Sequence, residues 1–86
     1  MEETVGKWYV YILECDTGSF YTGVTNNIKK RMQAHIDGKG SKYVFRNGFN
    51  HLISFKECKN RSDACKKEYL IKKLPKWEKL KWFEEN

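Results

Sequence analysis

Eighty-six residues with 17 Lys+Arg against 11 Asp+Glu, a net charge of +6, allow one small domain and exclude a second recognition domain or a large allosteric body. A content of 40% hydrophobic and 15% aromatic residues excludes a disordered chain, and no apolar run approaches the roughly 18 residues of a membrane span. Cys15, Cys58 and Cys65 lack CxxC spacing, and the acidic start Met1-Glu2-Glu3-Thr4 lacks a secretory leader's pattern, so reduced thiols and a cytoplasmic location are expected.

In chain order, Trp8-Tyr9-Val10-Tyr11-Ile12-Leu13 is an unbroken aromatic and β-branched run, which predicts a central strand buried on both faces. Phe20-Tyr21-Thr22-Gly23-Val24-Thr25 predicts a second strand. Between them, Asp16-Thr17-Gly18 suits a three-residue hairpin loop ending in a left-handed glycine. That loop sets Leu13 opposite Tyr21 and Tyr11 opposite Gly23. Tyr11 and Tyr21 then share a face, with Gly23 leaving room beside the Tyr11 ring. A two-residue loop would separate the tyrosines.

Asn26 is expected to cap a helix over about 27–37, with Gly38 as its stop. Ile28, Met32 and Ile36 form its buried stripe, and Arg31 and His35, one turn apart, project from one edge of that stripe. Gly38, Gly40 and Ser41 predict a loop. His51-Leu52-Ile53-Ser54-Phe55 predicts a third strand. Ser62 or Asn60 starts a helix to Leu74 whose apolar arc holds Ala64, Cys65, Leu70, Ile71 and Leu74, with Glu68 inside it. Pro75 opens a last helix, where Trp77, Leu80 and Phe83 repeat as core-covering residues. The order is β-β-α-β-α-α, an α+β domain over residues 1–86 with a small three-stranded, mainly antiparallel sheet flanked by helices.

Charge is unevenly spread. Residues 29–46 carry Lys29, Lys30, Arg31, Lys39, Lys42 and Arg46 against Asp37 alone, a net of +5. A basic loop beside aromatics suits a polyphosphate partner, although a solvated basic face would read the same from charge alone. A carboxylate on an apolar helical face is costly unless paired or bound to a cation. Glu68 therefore implies either a salt bridge, to a lysine or to Arg31, or a metal site. One carboxylate can hold Mg²⁺, which keeps several waters and completes its shell with substrate phosphate. Arg31 can stabilise charge on a phosphoryl oxygen. A tyrosine or His35 can take a proton from attacking water or assist the leaving oxygen. A phenol with an ordinary pKa of about 10 is a poor base, so a tyrosine would need a cation or metal-bound water beside it.

The same residues carry a family resemblance. Tyr9-Val10-Tyr11 stands at a first motif and Tyr21-Thr22-Gly23 at a second. Arg31 and His35 follow Tyr21 by ten and fourteen residues. Then come Gly38-Lys39-Gly40-Ser41-Lys42-Tyr43, Arg61-Ser62-Asp63-Ala64, Glu68 and Ile71-Lys72-Lys73-Leu74. Over about residues 7–82 the chain resembles a GIY-YIG nuclease domain, in particular the short single-domain bacterial branch (YhbQ-like). It is also similar to the N-terminal incision module of the excision-repair nuclease UvrC. Four places depart from the pattern: Tyr9 replaces a Gly, Val24 replaces a Lys, Leu80 falls near the place of an Asn, and residues 46–50, Arg-Asn-Gly-Phe-Asn, lack the Arg and Pro expected in that loop.

The resemblance implies the GIY-YIG fold and divalent-metal-dependent hydrolysis of phosphodiester bonds. Glu68 would be the single ligand to Mg²⁺, or to Mn²⁺ in its place. Tyr21 would activate water, with Tyr11 a supporting donor or alternative base. Arg31 would bind the scissile phosphate and His35 would assist proton transfer. Lys39, Lys42 and Arg46 are the expected nucleic-acid contacts. The expected function is an endonuclease on DNA rather than RNA, in repair, recombination or processing, with either little base specificity or a protein partner supplying it. A second class is a nucleic-acid-binding module of the same fold that cuts slowly or not at all. A third, a basic protein-interaction domain, fits the placement of the +5 segment less well.

Overall fold

The apolar run around Val10 becomes the middle strand of a three-stranded antiparallel sheet of order β2-β1-β3. The computed structural model describes residues 7–86, so the acidic Met1–Thr4 start lies outside the described residues. The elements are β1 (Trp8–Cys15), β2 (Phe20–Thr25), α1 (Ile28–Ile36), α2 (Lys42–Asn47), β3 (Phe49–Cys58), α3 (Arg61–Lys72) and α4 (Lys76–Glu85). The expected order is present, with one short helix, α2, added before β3. No described helix is long and apolar enough to cross a membrane.

The first hairpin follows its turn chemistry. The Gly18 amide donates to the Cys15 carbonyl, the Cys15 amide donates to the Ser19 carbonyl, and Gly18 has a φ of 88°. A three-residue loop results, and the register pairs Leu13 with Tyr21 and Tyr11 with Gly23, as expected. Strand alternation then divides the core between the two sheet faces. On one face Val10 and Ile12 pack with Cys58, Ala64, Ile71 and Phe83, beneath α3 and α4. On the other, Tyr11, Leu13 and Cys15 pack with Val44 and, at the margin, Tyr21, Ile28, Met32 and Phe49. β3 is longer than its central apolar run because its polar ends also pair along β1, with register shifts after Ile12 and Glu14.

Several sequence expectations shift by a residue or a face. Asn27, not Asn26, caps α1. Thr25 Oγ1 accepts from the Asn27 amide at 3.1 Å, and Asn27 Oδ1 accepts from the Lys30 amide at 3.0 Å. Gly38 does end the helix, with a φ of 78°. Ile36 is 59% exposed, whereas His35 is buried. On a helical wheel His35 lies only about 20° from Ile28, while Ile36 has drifted about 80° away. In α3 the cap is Asn60, whose Oδ1 accepts from the Asp63 amide at 2.9 Å, and Asp63 Oδ2 accepts from the Lys59 amide. Asp63 also bonds Lys67, and these contacts hold its carboxyl below the usual range. Cys65 and Leu70 are exposed because each sits about 100–120° from the Ala64–Ile71 stripe that meets the sheet. Pro75 occupies the cap position of α4, one residue before the helix. Phe83 is buried and Leu80 half-buried, but Trp77 is 65% exposed, since three-residue steps rotate about 60° each.

Candidate active site

Strand pairing and one glycine create the central feature of the site. Tyr11 projects from the middle strand beside Gly23 of β2, where a Cβ would stand 2.5 Å from the Tyr11 hydroxyl oxygen. The missing side chain is what lets the phenol lie across β2. There Tyr11 Oη and His35 Nε2 form a hydrogen bond of 2.8 Å, fully buried. The Tyr21 ring lies 6.3 Å from Tyr11 and 5.7 Å from His35, centroid to centroid. Tyr11 and Tyr21 thus share one sheet face, as the three-residue turn requires, and His35 of α1 meets them there.

Burial sets the protonation of this pair. Loss of water pushes the Tyr11 phenol far above its ordinary value, helped by Tyr21 and Glu68 and opposed by Arg31. Tyr11 is a neutral hydrogen-bonding group, which counts against its use as an alternative base. Burial, reinforced by the Arg31 charge, pulls the His35 imidazole below its ordinary value, so it too is neutral near pH 7. His35 stacks on Phe49 at 7° between ring planes and 6.2 Å. Its Nδ1 is buried without a hydrogen-bond partner, and faces Gly40 so closely that a Cβ there would stand 2.4 Å away.

Arg31 is half-buried one turn before His35, and its Nη1 donates to the Gly40 carbonyl at 3.5 Å. A guanidinium has five N–H donors, so one long contact leaves capacity for phosphate oxygens. A shallow depression of about 220 Å³ opens beside it, lined by Thr25, Asn27, Lys30 and Ala34 among others.

Glu68 comes from α3, which packs on the opposite sheet face, and is tied to the site through Lys72, whose ammonium lies 6.0 Å from the Tyr21 ring. It is half-buried, and its Oε2 accepts from Lys72 Nζ at 3.2 Å. Of the two readings open for this residue, the structure displays the ion pair. The donor set also fits a hard cation held by one carboxylate with water and phosphate around it. It does not fit an all-protein cage, because no group of three or more His, Cys, Asp or Glu side chains poised for a metal occurs among the described residues.

Lys39, Lys42 and Arg46 are all exposed near this face, Lys42 and Arg46 one turn apart on α2. Sequence reasoning placed a loop here and missed the helix. Its signals were Ser41, whose Oγ accepts from the Tyr43 and Val44 amides, and Gly48, which ends it at a φ of 79°. Helix formation turns Tyr43 onto Tyr21, where the rings stack at 5.8 Å and 25°. Lys72 was also missed as a neighbour of the site, although its i+4 spacing from Glu68 was legible. So was Lys79, whose ammonium donates to the carbonyls of Ile71 and Lys72 at 3.1 and 3.3 Å and to that of Leu74. It satisfies the C-terminus of the helix that carries Glu68.

The chain has relatives. Residues 7–81 match the model of the GIY-YIG catalytic domain. A UPF0213 protein of Oceanobacillus iheyensis is 49% identical over 76 residues, covering 88% of each chain. One of Clostridium perfringens is 47% identical over 72 residues, covering 84% of this chain and 77% of its own. The solution NMR structure of a UPF0213 protein from Bacillus halodurans is 37% identical, covers 88% of this chain and 81% of its own, and superposes with a TM-score of 0.54. Fold, matched span and relatives agree: the chain belongs to the GIY-YIG family of nucleases, in its small UPF0213 branch.

Proposed function

We propose that this protein is a divalent-metal-dependent endonuclease that hydrolyses phosphodiester bonds in DNA, in repair, recombination or processing. The observation that carries the reading is the buried Tyr11–His35 hydrogen bond, with Tyr21 5.7 Å from the imidazole, Arg31 bonded to the Gly40 that faces His35, and Glu68 paired with the Lys72 that lies by Tyr21. Glu68 would hold Mg²⁺ or Mn²⁺. When bound, such a cation offsets charge on the phosphoryl oxygens and makes coordinated water easier to deprotonate. Arg31 binds the scissile phosphate through the donors left by its contact with Gly40. Tyr21 is the phenol on the open side of the pair, with Lys72 Nζ 6.0 Å from its ring, and in its phenolate form it would take the proton of the attacking water.

Tyr11, held neutral by burial, donates a hydrogen bond and does not act as the base. If His35 Nε2–H donates to Tyr11, the phenol's own proton is released to point at phosphate. The neutral imidazole then orients Tyr11 and leaves Nδ1 as a buried acceptor, the milder of the two possible orphans. Lys39, Lys42 and Arg46 supply backbone contacts, which position a strand without reading its sequence. Specificity would then come from a protein partner or from nucleic-acid shape.

Cleavage of single-stranded, duplex and branched DNA with Mg²⁺ or Mn²⁺ tests the reading. Wild type should cut and Glu68→Ala should lose at least about two orders of magnitude, with chelator abolishing the remainder. Equal behaviour of the two proteins sinks the assignment. The Glu68–Lys72 pair favours the second reading, a binding module that cuts weakly, and the same assay decides between them.

A further inference from the structure

The Lys72 ammonium occupies a revealing place. It lies 3.2 Å from Glu68 Oε2 and 6.0 Å from the centre of the Tyr21 ring. The carboxylate assigned to the metal is thus already paired with a cation, and that cation also lies near the phenol assigned to the water. Lys72 is the last residue of α3, and its side chain is 53% exposed. It can swing into solvent without disturbing the backbone, whose carbonyl is held by Lys79. The neighbouring Lys73 points elsewhere, its Nζ lying 4.1 Å from the Tyr69 ring.

We propose that Lys72 is an internal competitor for the divalent cation, sharing Glu68 Oε2 with it and weakening metal binding until a substrate phosphate arrives. This rests on the assignment of Glu68 as ligand. A single carboxylate binds Mg²⁺ or Mn²⁺ weakly, and a resident ammonium weakens that further by direct competition and by like-charge repulsion. A phosphodiester changes the balance in two ways. It adds anionic oxygens to the cation's shell, and it offers the displaced ammonium a new partner. Metal loading and nucleic-acid binding then favour each other, so the site loads metal most readily on its substrate. Lys72 acts as a positioning residue in this scheme, through Glu68.

The test measures Mn²⁺ binding to the full chain without nucleic acid, by the loss of the free-ion electron paramagnetic resonance signal. Lys72→Met should bind Mn²⁺ about tenfold more tightly than wild type. Lys73→Met should match wild type, and adding Glu68→Gln to Lys72→Met should remove the gain. A non-cleavable oligonucleotide should tighten Mn²⁺ binding more in wild type than in Lys72→Met. Circular dichroism confirms that each variant is folded. Unchanged affinity in folded Lys72→Met overturns the proposal and reduces the ion pair to helix support, while leaving Glu68 as ligand if Glu68→Gln alone still loses Mn²⁺. Unchanged affinity in Glu68→Gln removes the ligand assignment itself, and the competition with it.

Discussion

At the residue scale, two positions control the Tyr11–His35 pair. Gly23 is the only residue type that fits beneath the Tyr11 hydroxyl, since any Cβ would stand 2.5 Å from it. The buried ring has little freedom to retreat. Gly23→Ala should therefore destabilise the fold by about 1–3 kcal/mol in urea denaturation and lower cleavage more than binding, because the displaced phenol loses His35. The lowered His35 value has a consequence for acid stability. The unfolded chain binds this proton more readily than the folded one. The stabilisation from neutral His35 is in place above the ordinary histidine value of about 6.5 and declines as pH falls through the lowered folded value. Thermal melts should show wild type losing stability over that acidic window, and His35→Gln losing much less of it. The tyrosine pair was legible because a two-residue alternation and a known turn length determine which side chains share a face. The burial of His35 in place of Ile36 was not, because a wheel drawn from apolar residues gives no weight to a histidine that finds a buried partner.

At the scale of elements, α2 converts a basic stretch into an ordered surface. Lys42 and Arg46 project one turn apart from a helix whose Tyr43 rests on Tyr21, so the cations are held at a set distance from the site. If each contacts a phosphate, Lys42→Ala and Arg46→Ala should each lower the salt slope of log K for DNA by about 1, with similar effects on unrelated sequences. An unchanged slope would mean that the side chain does not touch phosphate. Six residues are too few to show a helical period, which is why α2 was invisible to pattern; only Ser41 and Gly48 mark its ends. The longer helices were legible in extent. Their exposed faces were misjudged wherever an apolar residue lay about 100° from the true contact line, as with Cys65, Leu70 and Trp77.

At the scale of the molecule, one thin sheet serves two purposes. The face bearing Val10 and Ile12 is a core closed by α3 and α4, and the face bearing Tyr11 carries the polar pair. Because the domain is small, the first core has little reserve. Phe83 is the buried residue that α4 adds to it, beside half-buried Leu80 and Trp82, so Phe83→Ala should cost about 3–5 kcal/mol and leave much of the protein unfolded at 37 °C, by near-UV circular dichroism and thermal denaturation.

By itself the sequence determined what depends on local chemistry: the strand run around Val10, the hairpin register, the helix stop at Gly38 and the segment holding the positive charge. Each follows from residues within a few positions of one another, where turn geometry and periodicity act directly. Only the tertiary structure decided what depends on distant groups meeting. It buried His35 against Tyr11, placed Gly40 on the imidazole, turned Tyr43 onto Tyr21, and brought the Lys72 ammonium near both Glu68 and Tyr21. Those contacts join residues far apart in the chain, or choose among faces that spacing leaves nearly equivalent. The choice falls to packing and charge summed over the whole fold.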